Sequence, residues 1–114
     1  MGQTIFPFGA ADAQAISATT ALSISDTLTI VTISGQSAAV ALTATFSDQL
    51  LIGSRVIIKA VQGATGYNVT LGTGFAASAA DLTGVANDTD IIELYYDGTS
   101  LVNLQGWTKI VDAA

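Results

Sequence analysis

Ala38-Ala39-Val40-Ala41-Leu42-Thr43-Ala44-Thr45-Phe46 decides the class of fold. Every even position is apolar, and the odd positions are smaller or polar. Alternation with a period of two sends successive side chains to opposite faces of an extended strand, one toward a core and one away from it. The same period runs outward in both directions. Upstream, Thr27-Leu28-Thr29-Ile30-Val31-Thr32-Ile33 starts in clean alternation and slips at Ile30-Val31, which predicts a bulge or burial on both faces. Downstream, Arg55–Val61 places Val56, Ile58 and Ala60 on one face and Arg55, Ile57, Lys59 and Val61 on the other. Tyr67–Leu71 groups Tyr67, Val69 and Leu71. Ile91–Tyr96 is rich in β-branched and aromatic residues, Leu101–Gln105 follows it, and Trp107–Val111 closes the chain.

Turn chemistry separates these runs: Ser34-Gly35-Gln36-Ser37, Ile52-Gly53-Ser54, Gln62–Gly66 and Asp97-Gly98-Thr99-Ser100. Asp and Gly tolerate the positive φ that a tight hairpin turn needs, so Ile91–Tyr96 and Leu101–Gln105 are predicted to pair as one antiparallel hairpin. Phe75–Leu82 is rich in alanine but too short for a stable helix, so it is at most one helical turn or a loop. No repeat of 20–50 residues is visible, which argues against a solenoid. Strands at roughly ten-residue spacing match a sandwich or small barrel. The expected fold is all-β: an antiparallel β-sandwich, jelly-roll-like, over residues 13–114. Residues 1–12 are expected to form an N-terminal arm. They hold the single proline, lack periodicity, and could dock on their own domain or on a neighbouring subunit. Phe6 and Phe8 of that arm, with Trp107, are the candidate partner-interface residues.

Composition limits the chemistry. The chain has 114 residues, enough for one domain, with nine acids, three bases and a net charge of −6. It has no Cys and no His. Disulfide scaffolds, Cys/His zinc sites, Ser-His-Asp triads and Cys-His centres are therefore excluded. The three cations, Arg55, Lys59 and Lys109, are too few to neutralise phosphates, so no nucleic-acid partner is expected. No apolar run reaches the ~20 residues of a membrane helix, and no membrane partner or targeting signal is expected. Half of the residues are apolar and only 11% are charged. A small domain leaves much of its surface exposed, so this one must have an unusually neutral skin. That favours a surface covered by other protein molecules over a lone monomer.

Few residues invite a catalytic or binding reading. Asp88, Asp90 and Glu93 could offer oxygens to Ca²⁺, but their spacing is not that of an EF-hand. In a strand, Asp90 and Glu93 point to opposite faces, so a solvated strand start is expected, with no metal and no cofactor. Gly63-Ala64-Thr65-Gly66 and Leu71-Gly72-Thr73-Gly74-Phe75 lack the Lys-Ser/Thr of a phosphate loop and read as turns. Asn68-Val69-Thr70 and Asn87-Asp88-Thr89 match the glycosylation pattern by chance. Trp107, Tyr67, Tyr95 and Tyr96 could form a sugar platform, with Tyr95 and Asn103 outward beside Glu93. Without a nucleophile–base pair, no enzyme is expected.

Val69-Thr70-Leu71-Gly72-Thr73-Gly74-Phe75, followed after a short insert by Asn87-Asp88-Thr89-Asp90-Ile91-Ile92-Glu93-Leu94-Tyr95-Tyr96-Asp97-Gly98-Thr99, resembles a pattern in small β domains of tailed-bacteriophage virion proteins. Those domains decorate heads or accompany fibres. The resemblance covers Gly53 to Leu104, and its motifs are structural. Such domains often carry a Trp soon after the Asp-Gly turn; here Leu101 and Val102 stand there and Trp107 comes later. The resemblance implies a non-enzymatic virion structural protein, a capsid decoration or auxiliary protein on the capsid surface. It also implies a homo-oligomer, a trimer, held to a major capsid or fibre protein. A carbohydrate- or receptor-binding module of a fibre or cell-surface protein is the alternative.

Overall fold

The computed structural model describes residues 12–77 and 79–111. Of the expected arm, residues 1–12, all but Asp12 lie outside the described residues, and so do Phe6 and Phe8. Nine strands follow in order: β1 (Asp12–Ile16), β2 (Thr20–Ile24), β3 (Leu28–Ile33), β4 (Val40–Phe46), β5 (Arg55–Val61), β6 (Val69–Leu71), β7 (Thr89–Tyr96), β8 (Leu101–Asn103) and β9 (Thr108–Val111). The fold is all-β, and no helix forms among the described residues.

The strands make two sheets. The larger has the order β1-β3-β5-β7-β8, with β9 also on β7; the smaller has the order β2-β4-β6. Along the first six strands the chain alternates between them. Residues 17–19 and 25–27 are links of three residues, and each carries the chain across to the opposite sheet. The next strand in a given sheet then arrives in the same direction as the last. The pairs β1–β3, β3–β5, β2–β4 and β4–β6 are accordingly parallel. Only β5–β7, β7–β8 and β7–β9 are antiparallel.

This corrects the antiparallel, jelly-roll-like expectation, because a jelly roll is built from antiparallel strands. It also corrects the argument against a solenoid. The pairs β1–β2, β3–β4 and β5–β6 wind as successive coils about one core. Their spacing grows from Asp12↔Thr29 to Leu28↔Arg55, so no fixed period exists for a repeat search to find.

Apolar alternation fixes what faces inward. Val31 and Ile33 of β3, Val56, Ile58 and Ala60 of β5, and Ile92 and Leu94 of β7 are buried on the inner face of the larger sheet. Leu22 and Ile24, Val40, Leu42 and Ala44, and Val69 meet them from the smaller sheet. The slip at Ile30-Val31 is no bulge. β3 pairs on both sides without a register shift, with Val31 buried and Ile30 half-buried on the outer face.

The β7–β8 hairpin forms as expected. The Asp97 carboxylate Oδ1 accepts the N–H groups of Thr99 and Ser100, both at 2.8 Å, and Gly98 takes φ +103°. The described residues of the Phe75–Leu82 stretch, 75–77 and 79–82, are not helical; backbone groups of Gly74, Ala76 and Leu82 cap other strands. Val69 and Leu82 exchange N–H···O bonds of 3.0 and 2.8 Å along the free side of β6. Leu101 N–H donates to Gly74 O and Ala76 N–H to Leu101 O, along β8.

Candidate functional site

The outer face of the larger sheet is built by the positions that alternate with the core. Across β3, β5 and β7 the register lines up Leu28–Arg55–Tyr95, Ile30–Ile57–Glu93 and Thr32–Lys59–Ile91. Half-buried Leu28, Ile30, Ile57 and Ile91 therefore form an apolar field on the outside of the molecule. β-Branched residues pack well on a pleated surface, which is why the sequence can place Ile on both faces of these strands.

Residues 104–107, between β8 and β9, raise a rim at one side with Thr108 at the start of β9. Leu104, Gln105 and Thr108 join Ile57, Ile91 and Glu93 around a shallow groove of about 370 Å³. A second hollow of about 600 Å³ lies beside it, lined by Thr27, Leu28, Gly53, Arg55 and Ile57. Ile57 is common to both. Leu104 on the rim is 61% exposed, and Leu51 and Ile52, next to Gly53, are 64% and 74% exposed.

Charge is distributed unevenly. Two of the chain's three cations, Arg55 and Lys59, occupy outer positions of β5, against the single acid Glu93. The patch carries about one positive charge in a chain of net −6. Arg55 Nη1 and Glu93 Oε2 form a 3.0 Å ion pair, with side chains 62% and 40% exposed. An exposed pair of this kind contributes only about 0–1 kcal/mol to stability. It leaves the patch weakly charged and cheap to desolvate compared with free ions.

The acids named from the sequence do not converge. Glu93 faces outward, as expected from its opposite parity to Asp90. Asp88 and Asp90 are buried instead of solvated, because β9 covers the start of β7. Lys109 of β9 stands in register with Asp90, and its Nζ lies 2.6 Å from Asp88 Oδ2. The pair clamps the last strand to the sheet. No three His, Cys, Asp or Glu side chains gather as a metal site among the described residues.

The aromatic residues also serve separate places. Tyr95 faces outward, whereas Tyr96 turns inward and packs on Phe46 with ring centroids 4.6 Å apart. Asn103 pairs with Leu94, on the opposite face to Tyr95 and Glu93, so the expected outward trio does not form. Its Nδ2 donates to Gln105 O. Trp107 is half-buried against the core and its indole N–H donates to Ala80 O at 2.9 Å. Trp107 thus has a partner within its own chain.

The glycine-rich stretches are turns. Buried Gln62 closes a two-bond ring on Tyr67, its Nε2 donating to the carbonyl at 3.0 Å and its Oε1 accepting the N–H at 2.9 Å. Asn68 Oδ1 accepts the Gly84 N–H. Gly74, at φ +94°, has room for no Cβ, which would stand 2.2 Å from Ala44 O; at Gly72 a Cβ would make only ordinary contacts. Sequence reasoning put Leu104 and Gln105 in a strand Leu101–Gln105 and Thr108 in the run Trp107–Val111; β8 stops at Asn103 instead, and the link after it forms the groove's rim, which those runs did not show. No protein-family model, curated protein or solved structure matches this chain.

Proposed function

We propose that this chain is a non-enzymatic structural protein that decorates or stabilises a phage-like head through protein–protein contacts on the capsid surface. The observation that supports it best is the outer face of the larger sheet: Leu28, Ile30, Ile57, Ile91 and Leu104, beside about one net positive charge from Arg55, Lys59 and Glu93. Burial of such a face stabilises a contact by about 25 cal/mol per Å² of apolar area removed from water. Repetition over many copies in a shell multiplies a modest single contact. The acidic remainder of the surface would disfavour packaged nucleic acid and favour an outer position. A major capsid or fibre protein is the partner on this reading.

Co-sedimentation with purified tailed-phage capsids tests it. The wild-type chain should saturate the particles at a fixed stoichiometry, and Ile57→Lys with Ile91→Lys should abolish binding while the circular dichroism spectrum stays that of a β protein. A wild-type chain that never pellets with capsids would contradict the proposal.

One observation favours a second reading, a carbohydrate- or receptor-binding module. Glu93, Gln105 and Thr108 place polar groups around an apolar groove floor, the composition of a ligand pocket. A glycan array distinguishes the two: hits lost in Glu93→Ala would replace the decoration reading, and an empty array would remove the module.

A further inference from the structure

Apolar packing does little to hold β9. All four of its residues are exposed, Ile110 and Val111 included, and it pairs with β7 at three positions with a register shift between Thr89 and Asp90. One side chain makes up for this. Lys109 Nζ lies 2.6 Å from Asp88 Oδ2, at the very start of β7. The chain has no Cys, so a disulfide cannot tie the strand to the sheet.

The carboxyl end of this contact is out of water and fixed in place. The Asp88 side chain is 0% exposed, whereas that of Lys109 is 37% exposed. Asp88 follows Asn87, which takes φ +64°. Its N–H donates to Val85 O at 3.2 Å, and its carbonyl accepts the Gln62 N–H at 2.9 Å. A second carboxyl, Asp90, is buried beside it. Asp90 stands in register with buried Ala60 of β5 on one side and with Lys109 of β9 on the other. Residues opposite one another in an antiparallel pair project to the same face. One amine therefore meets two buried carboxyls.

We propose that Lys109 and Asp88 react with each other to form an amide bond between Nζ and Cγ. One proton passed from the ammonium to the carboxylate gives a neutral amine and a neutral acid, the forms in which the first attacks and the second can lose its oxygen. Burial favours that exchange, because it removes two charges from a place with little water. The Nζ lone pair then forms the bond to Cγ, and the bond from Cγ to Oδ2 breaks. The oxygen leaves as water, with the proton it had gained and a second one from Nζ that Asp90 carries across. Nothing is oxidised or reduced, and no co-reactant is consumed. Oδ2 is bonded to Cγ, so an amine at hydrogen-bond distance from it stands about 3–3.5 Å from the carbon, the separation from which held groups react.

Condensation of an acid with an amine is opposed by bulk water, and the fold answers this in two ways. The carboxyl is shielded from water, and two groups held in contact reach effective molarities of about 10⁵–10⁸ M. The partly exposed Lys109 leaves the released water a way out. The bond closes residues 88–109 into a ring and ties β9 to β7 covalently. It restricts the unfolded chain as a disulfide would. The reaction happens once in each chain and turns over no substrate. It goes beyond the capsid-surface reading and does not depend on it.

Mass spectrometry of the purified full chain, before and after denaturation and trypsin digestion, tests the proposal. The intact mass should be lower than that of the sequence by one water molecule. Trypsin should cut after Arg55 and Lys59 but not after Lys109, whose amine is acylated, and fragmentation should find no breaks between residues 88 and 109. Resistance at Lys109 separates this bond from a succinimide at an aspartate, which also loses water but leaves the lysine free. Lys109→Arg keeps the cation and should restore the full mass and cleavage at residue 109. Asp90→Asn removes the proton carrier and should also leave the chain at full mass, with an unchanged circular dichroism spectrum. A wild-type chain at full mass that trypsin cuts after Lys109 would overturn the proposal, and an Asp90→Asn chain that links as readily as the wild type would overturn the part given to Asp90.

Discussion

Thr29 is fully buried on the inner face of β3, and its hydroxyl has no hydrogen-bond partner. An unsatisfied buried hydroxyl costs about 1–3 kcal/mol, and valine has the same shape without it. Thr29→Val should raise stability by about 1 kcal/mol, read as an upward shift of the urea midpoint at constant slope; a lower midpoint would contradict this. Gly74 makes the opposite case. It combines φ +94° with a backbone carbonyl 2.2 Å from where a Cβ would sit, so relief requires movement of β4 itself. Gly74→Ala should cost about 2–3 kcal/mol. Gly35, at φ +65° with nothing within 4 Å, provides the comparison: Gly35→Ala meets the strain alone and should cost clearly less. Equal losses in a thermal melt would show that close packing at Gly74 does not matter.

At the scale of elements, the runs Ala38–Phe46, Arg55–Val61 and Ile91–Tyr96, which fall on β4, β5 and β7, and the Asp97-Gly98 hairpin were legible in the sequence, because alternation and turn chemistry are local signals. Alternation assigns a face but names no neighbour and no direction, so the parallel pairing was not legible. It depends on three-residue links that read equally well as tight turns. The outer positions Ile57 and Lys59 were visible as the second face of β5, but a groove there also needed Leu104 and Gln105 in a link, where the sequence reading extended the strand to Gln105. Glu93 opposite Asp90 was read correctly. The burial of Asp88 and Asp90 was not, because only the return of β9 covers them. The hairpin carries its own pH dependence. The Ser100 and Thr99 amides that donate to Asp97 hold its carboxyl below the ordinary aspartate value of 3.8. A lowered value means that this support is present above the ordinary value and lost as pH falls through the lowered one. The Thr99 and Ser100 amide resonances should therefore shift with a midpoint below 3.8; a midpoint at or above it would contradict the turn geometry.

For the molecule as a whole, the scarcity of ions shapes the outer face of the larger sheet, which offers apolar side chains. Among the described residues, Glu93 is the only acid at the outer positions of β3, β5 and β7. Attraction there depends on apolar contact and on Lys59, whose partner on β7 is Ile91 and not an acid in register. Lys59 is half-buried at the centre of the face and is a natural reporter of its covering. The most direct measurement is acetylation footprinting of the chain, free and bound to purified capsids, followed by mass spectrometry. Lys59 should label readily in the free chain and be protected on the particle; equal labelling of Lys59 in both states would show that this face is not where the partner sits.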